Sequence, residues 1–128
     1  MADYEASTRV DAPAGQLFDY LADPHNLTAY VTRLSAAEPL DDDLVRVTAD
    51  RGGAEVSGDA WVRVDADARS LAWGLTGSDD YSGQLEVRED GPASVVTVRV
   101  RTVRAARDQV RDGVDGTLRR IKELMEAG

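Results

Sequence analysis

Val10-Asp11-Ala12-Pro13-Ala14-Gly15-Gln16-Leu17-Phe18-Asp19-Tyr20-Leu21-Ala22-Asp23-Pro24-His25-Asn26-Leu27 changes its structural period partway along. Val10 ends an alternating run. Tyr4, Ala6, Thr8 and Val10 fall on one side and Glu5, Ser7 and Arg9 on the other, which predicts a half-buried strand over 4–10. Asp11-Ala12-Pro13 stops that strand, because Pro has no N–H for a ladder and its fixed φ suits an early helical position. Ala14, Leu17, Phe18 and Leu21 then recur at i, i+3, i+4 and i+7, so 13–22 reads as an amphipathic helix. Asp23 before Pro24 is a candidate N-cap for a second, short helix running to about Val31, with Leu27, Tyr30 and Val31 as its apolar side.

Beyond this stretch the period becomes two. Strands are predicted at about 33–39, 44–50, 54–65, 69–76, 80–89 and 94–104. Their separators are Asp41-Asp42-Asp43, Arg51-Gly52-Gly53, Ala66-Asp67, Gly77-Ser78-Asp79 and Asp90-Gly91-Pro92. The helical period returns over 106–127, where Ala106, Val110, Val114, Leu118, Ile121, Leu124 and Met125 line one face and Arg111, Asp115, Arg119, Lys122 and Glu126 the other. Gly113 and Gly116 weaken that helix by roughly 1 kcal/mol each relative to Ala, and so mark a kink or a close approach. The order β-α-α-β6-α predicts an α+β domain in which one apolar sheet face and one long apolar helix stripe cover each other. No repeat or linker divides the chain, so 1–128 reads as one domain.

Turn lengths set an expected register. A two-residue Ala66-Asp67 turn places Ala60 opposite Trp73. The next two turns place Trp73 opposite Gly83, Gly83 opposite Val100, and Tyr81 opposite Thr102. The inner face then carries Val56, Ala60, Val62, Leu71, Trp73, Leu75, Tyr81, Leu85, Val96, Val98 and Val100, with small residues at 54, 58, 60 and 83 leaving room for helix side chains or a ligand.

Composition excludes several chemistries. With no Cys there is no disulfide, thiol nucleophile or thiolate metal site, and a single His excludes multi-His metal centres within one chain. The net charge of −9 repels phosphate backbones and anionic lipid surfaces, so neither nucleic acid nor a membrane is an expected partner. No apolar run reaches a membrane span and no signal segment is apparent, so the chain reads as cytoplasmic.

The remaining motifs each have a plain reading. His25, between Asp23-Pro24 and Asn26, serves the turn, and no Gly-x-Ser-x-Gly elbow accompanies it. Lys122, the sole Lys, lies in a polar run and reads as solvated. Asp41-Asp42-Asp43 and Asp79-Asp80 lack Ca²⁺-loop spacing and read as turns, as does Gly52-Gly53. Arg99 and Arg101 fall on the outer face of the last strand, where cross-strand ion pairs are expected. Trp61, also outward, is placed opposite Ala72 and diagonal to Gly74. There it either covers a strand glycine or forms a homodimer or partner contact.

The quoted run resembles the opening of the START-like, Bet v 1-type (SRPBCC) superfamily. It is most similar to the bacterial polyketide cyclase/dehydrase and lipid-transport branch, in which a strand ends in apolar-Asp-Ala-Pro, a helix carries Leu-Phe, and Asp-Pro opens a second helix. The resemblance covers the whole element order. It implies a helix-grip fold, a curved antiparallel sheet wrapped around the C-terminal helix with a cavity between them. It also implies a small hydrophobic ligand, lipid- or polyketide-like, with no cofactor. The expected lining is Tyr30, Ala60, Trp73, Tyr81, Gly83, Val98, Val100, Thr102 and Val114; no catalytic or metal-binding residue is selected. Superfamily members include carriers, receptors, aromatase/cyclases and chaperone activators, so the resemblance leaves three readings open. They are a binder of a small apolar molecule, a cyclase/dehydrase/aromatase using Tyr30, Tyr81 and Thr102 for proton handling, and a protein-interaction module with a filled cavity.

Overall fold

The computed structural model describes residues 2–31, 34–41, 43–51, 54–77, 80–103 and 106–126. The elements are β1 (Ala2–Val10), α1 (Ala14–Ala22), a 3₁₀ turn (Pro24–Asn26), α2 (Leu27–Tyr30), β2 (Leu34–Asp41), β3 (Leu44–Arg51), β4 (Ala54–Asp65), β5 (Ser70–Leu75), β6 (Tyr81–Asp90), β7 (Ala93–Thr102) and α3 (Arg107–Glu126). The Gly52-Gly53 turn, Asp42, Asp79 and the side chains of Ala54 and Val56 lie outside the described residues.

All seven strands form one curved antiparallel sheet in the order β1-β7-β6-β5-β4-β3-β2, left open between β1 and β2. β2 to β7 follow one another as a meander. β1 joins at the far side by pairing with β7 from Ala2↔Thr102 to Val10↔Ser94. One of the two edge strands, β2, carries Pro39 and two register irregularities, features that discourage pairing with another chain.

The quoted stretch does locally what its residues dictate. Ala14, Leu17, Phe18 and Leu21 are the buried side of α1. Asp23 caps the following turn, its carboxylate accepting the His25 N–H at 3.0 Å and its carbonyl the Asn26 N–H at 3.0 Å. His25 Nδ1 lies 3.0 Å from the same carboxylate, and the side chain is exposed. Ser94, wholly buried in β7, donates to the Ala12 carbonyl at 2.6 Å and ties the β1–α1 corner to the sheet.

The expected β4–β5 register differs by two residues. Ala66–Arg69 forms a four-residue turn, so Ala60 faces Leu75, Trp73 faces Val62, and Trp61 faces Gly74. Local hydrogen bonds hold the longer turn: the Asp65 carboxylate accepts the Ala68 N–H at 3.1 Å, and Arg69 donates to the Ala66 carbonyl at 3.3 Å with φ of 50°. A two-residue shift keeps every side chain on its expected face. The β5–β6 and β6–β7 pairings are Trp73↔Gly83, Gly83↔Val100 and Tyr81↔Thr102, as the sequence predicts. The β6–β7 turn pairs Asp90 with Ala93. Gly91, at φ 61°, and Pro92 occupy the turn, the sign pattern of a type II′ turn.

The core gathers under α1 and α3. Leu71, Leu85, Val87, Val96 and Val98 from the sheet meet Leu17, Leu21 and Tyr30 and the α3 stripe Val110, Val114, Leu118 and Ile121. α3 is one uninterrupted helix through Gly113 and Gly116 and rests chiefly on β1 and β7. No helix among the described residues is long and apolar enough to cross a membrane.

Candidate functional site

Period-two alternation sends one row of side chains across the concave face: Tyr4, Val100, Gly83, Trp73 and Val62 on consecutive neighbouring strands. Gly83 sets the position of Trp73. A Cβ added there would collide with Cε2 and Cζ2 of the indole, so only a glycine lets the ring lie against the sheet. The indole Nε1–H donates to the Tyr81 hydroxyl at 3.3 Å. Trp73 and Tyr81 are both half-buried, which leaves part of this aromatic pair accessible. Next to them are Thr102, opposite Tyr81 and buried, and Val98, in the row below and buried. Ala60, at 9% exposure, sits diagonal to Trp73.

Eight of the nine expected lining residues thus belong to one surface formed by β4–β7 and the α3 face that carries Val114. The ninth, Tyr30 on α2, is buried in the same apolar cluster as Val98 and Val114. Its hydroxyl donates to the Leu21 carbonyl at 2.6 Å, joining α2 to the end of α1. Burial pushes its phenol far above the usual tyrosine range, so at neutral pH it is a fixed donor.

The helix supplies the opposite wall. Three contacts fix its rotation and direction. The Tyr4 hydroxyl donates to Asp115 at 3.2 Å, Lys122 Nζ donates to the Arg9 carbonyl at 2.8 Å, and the Asp11 N–H donates to Glu126 at 2.9 Å. α3 therefore runs parallel to β1, with Asp115, Lys122 and Glu126 on the flank against that strand. Burial, and then the Asp115 carboxylate, raise the Tyr4 phenol above its ordinary range and keep it a donor. Asp115, expected to face outward, is half-buried at this seam. It lies at the margin of the apolar stripe, and β1 runs along that margin.

At about 100° per residue, Gly113, Thr117, Arg120 and Leu124 fall on the flank turned away from β1. Arg120 Nε donates to the Ala29 carbonyl of α2 at 3.0 Å, so α2 covers the C-terminal part of that flank. Gly113 and Thr117 sit further toward the N-terminus, where the flank looks over the sheet beyond β7. A Cβ added at Gly113 would meet nothing within 4 Å. This glycine borders open space and makes no close packing contact. Sequence alone marks Gly113 as a kink or close approach and does not single out Thr117, because the flank each occupies follows from helix rotation, which the β1 contacts fix.

The convex face is organised differently. Trp61 covers Gly74, where an added Cβ would come within 2.7 Å of the ring, and the Arg63 guanidinium lies 5.2 Å from the Trp61 ring centroid. Arg99 and Arg101 do form cross-strand pairs there, with Asp3 of β1, at 2.9 and 3.9 Å. A depression nearby, polar and apolar in equal measure, is lined by Glu5, Ala72, Gln84, Glu86, Thr97 and Arg99 among others.

Residues 1–126 match the family model described as polyketide cyclase/dehydrase and lipid transport. Among solved structures, a START superfamily protein from Mycobacterium smegmatis superposes with a TM-score of 0.85 at 10% identity, covering 99% of each chain. The Zhui aromatase/cyclase from Streptomyces sp. R1128 superposes with a TM-score of 0.76 at 18% identity, covering 97% of this chain and 93% of that one. The di-domain aromatase/cyclase BexL of the BE-7585A biosynthetic pathway gives 0.74 at 17% identity. It covers 98% of this chain, which spans 47% of BexL's length. These likenesses establish a shared fold. No curated protein matches.

Proposed function

The chain belongs to the polyketide cyclase/dehydrase and lipid transport family, and from that premise we propose that it binds a small hydrophobic molecule between its curved sheet and α3. The carrying observation is the accessible Trp73–Tyr81 pair on the concave face, beyond the strands on which α3 chiefly rests. An indole spread against a sheet offers a broad apolar surface at little entropic cost. Its polar edge is already hydrogen-bonded to Tyr81, and the Tyr4 hydroxyl to Asp115. What the wall offers is therefore mostly apolar, with few convergent polar atoms, which is how small-molecule sites are composed. The ligand-lining set is Trp73, Tyr81, Gly83, Val98, Val100, Thr102, Ala60 and Val114. Tyr30, in the same buried cluster, holds α2 to the end of α1.

The test is native mass spectrometry of protein isolated from its host, followed by titration with fatty acids, sterols and aromatic polyketides. A retained small molecule, or saturable binding lost in Trp73→Ala, supports the reading. Absence of both in a folded protein refutes it.

A cyclase or dehydrase is the second reading, favoured by the Tyr81 hydroxyl beside the Trp73 indole on the concave face. Turnover of a polyketide substrate that falls in Tyr81→Phe while binding persists would establish it. The homodimer reading of Trp61 rests on its position on the polar convex face. Sedimentation of Trp61→Ala tests it.

A further inference from the structure

Resting on the ligand-space reading above, we propose that Thr117 is the specificity-determining residue of this site, and that it selects neutral apolar molecules carrying one hydroxyl or carbonyl oxygen. The flank of α3 turned from β1 presents Gly113, Thr117, Arg120 and Leu124. Its two polar side chains differ. Arg120 is committed to the Ala29 carbonyl and to Glu123 at 3.6 Å. The Thr117 hydroxyl is half-buried and makes no side-chain hydrogen bond among the described residues. One turn before it, Gly113 has no side chain, and the space where a Cβ would point is open. A ring can therefore approach the helix at Gly113 and meet the Trp73 indole on the sheet side, with a polar substituent reaching the Thr117 hydroxyl.

The same geometry defines what is rejected. Arg120 is already engaged, so this flank offers a ligand carboxylate no available guanidinium, and Asp115 lies on the opposite flank of the helix, against β1. A carboxylate placed here would be desolvated without a counter-charge, which is strongly unfavourable. A neutral hydroxyl instead exchanges water for the Thr117 hydroxyl, a net gain of the size of one ordinary hydrogen bond.

Naphthalene, 2-naphthol and 2-naphthoate share a ring system and differ only in the substituent. Dissociation constants are measured by equilibrium dialysis against the full chain. Wild type is expected to bind 2-naphthol about five times more tightly than naphthalene, and 2-naphthoate no more tightly than naphthalene. Thr117→Val should bring the naphthol-to-naphthalene ratio close to one. Thr117→Ser should retain the preference. Gly113→Phe should weaken all three ligands about tenfold or more with the thermal melt preserved, since the new ring fills the open space. Should Thr117→Val fold poorly, Thr117→Ala serves for the same ratio. If no probe binds wild type, the ligand-space reading falls and this inference with it. If the probes bind and the ratio survives in Thr117→Val, or 2-naphthoate binds tightest, the ligand space stands and the role of Thr117 is overturned.

Discussion

Two Trp–Gly pairs on opposite faces of one sheet do different jobs. Trp61 over Gly74 seals the convex side, with Arg63 across its ring. Trp73 over Gly83 leaves an aromatic surface on the concave side. Gly83→Ala forces the Trp73 ring away from the sheet. Its expected cost is about 1–3 kcal/mol, the range for overpacking, with a shifted indole N–H signal by NMR. Gly113→Ala has the opposite sign. Nothing blocks the new methyl, and removing a mid-helix glycine should raise stability by up to about 1 kcal/mol in urea denaturation. Tyr30→Phe leaves the buried Leu21 carbonyl without its donor and should cost about 1–3 kcal/mol. If Tyr30 acts only as a support, ligand affinity measured for the folded fraction stays near wild type.

The elements were largely legible in the sequence because each carries its own period. Leu17-Phe18-Leu21 could only be helical, and Leu85-Val87 and Val96-Val98-Val100 only strands. Pairing was less legible. Ala66-Asp67 suits a two-residue turn, but Arg69 adopts a left-handed conformation and extends the turn to four. Both registers bury the same face, so hydrophobic pattern alone does not choose between them. The site was legible on its sheet side, through Trp73, Tyr81 and Gly83. Its helix side was not, because which flank of α3 faces the ligand space depends on β1 lying alongside Asp115, Lys122 and Glu126. Within α3, Ile121 is fully buried among side chains, and Ile121→Ala should cost about 2–5 kcal/mol. Val114→Ala, nearer the ligand space, should cost less and reduce affinity more, as paired denaturation and binding curves would reveal. The end of α3 is also sensitive to acid. Lys122, and then the Asp11 N–H, hold the Glu126 carboxyl below its ordinary range. A carboxylate depressed in this way stabilises the fold above its unfolded pKa, and that contribution is lost as pH falls through the folded one. Stability should therefore decline below the ordinary Glu range, and less steeply in Glu126→Gln when denaturation midpoints are compared between neutral pH and pH about 3.

At the scale of the molecule, an acidic chain with one open sheet arranges its two faces for different solvents. Charged pairs and short polar side chains cover the convex side. Such exposed pairs add little stability individually, and the fold rests on the apolar contact of α1 and α3 with the sheet. That contact closes between elements far apart in sequence. Among the described residues β1 pairs with β7 alone, and Tyr4 reaches Asp115 across 111 positions of sequence. During synthesis β1 therefore leaves the ribosome long before its partner β7, and Tyr4, Ala6 and Val10 stay wetted until β7 and α3 have emerged. Closing so long a loop is slow compared with helix formation. Folding should take milliseconds to seconds, and the nascent meander, still without its covering helix, is the form in which a chaperone would meet this protein.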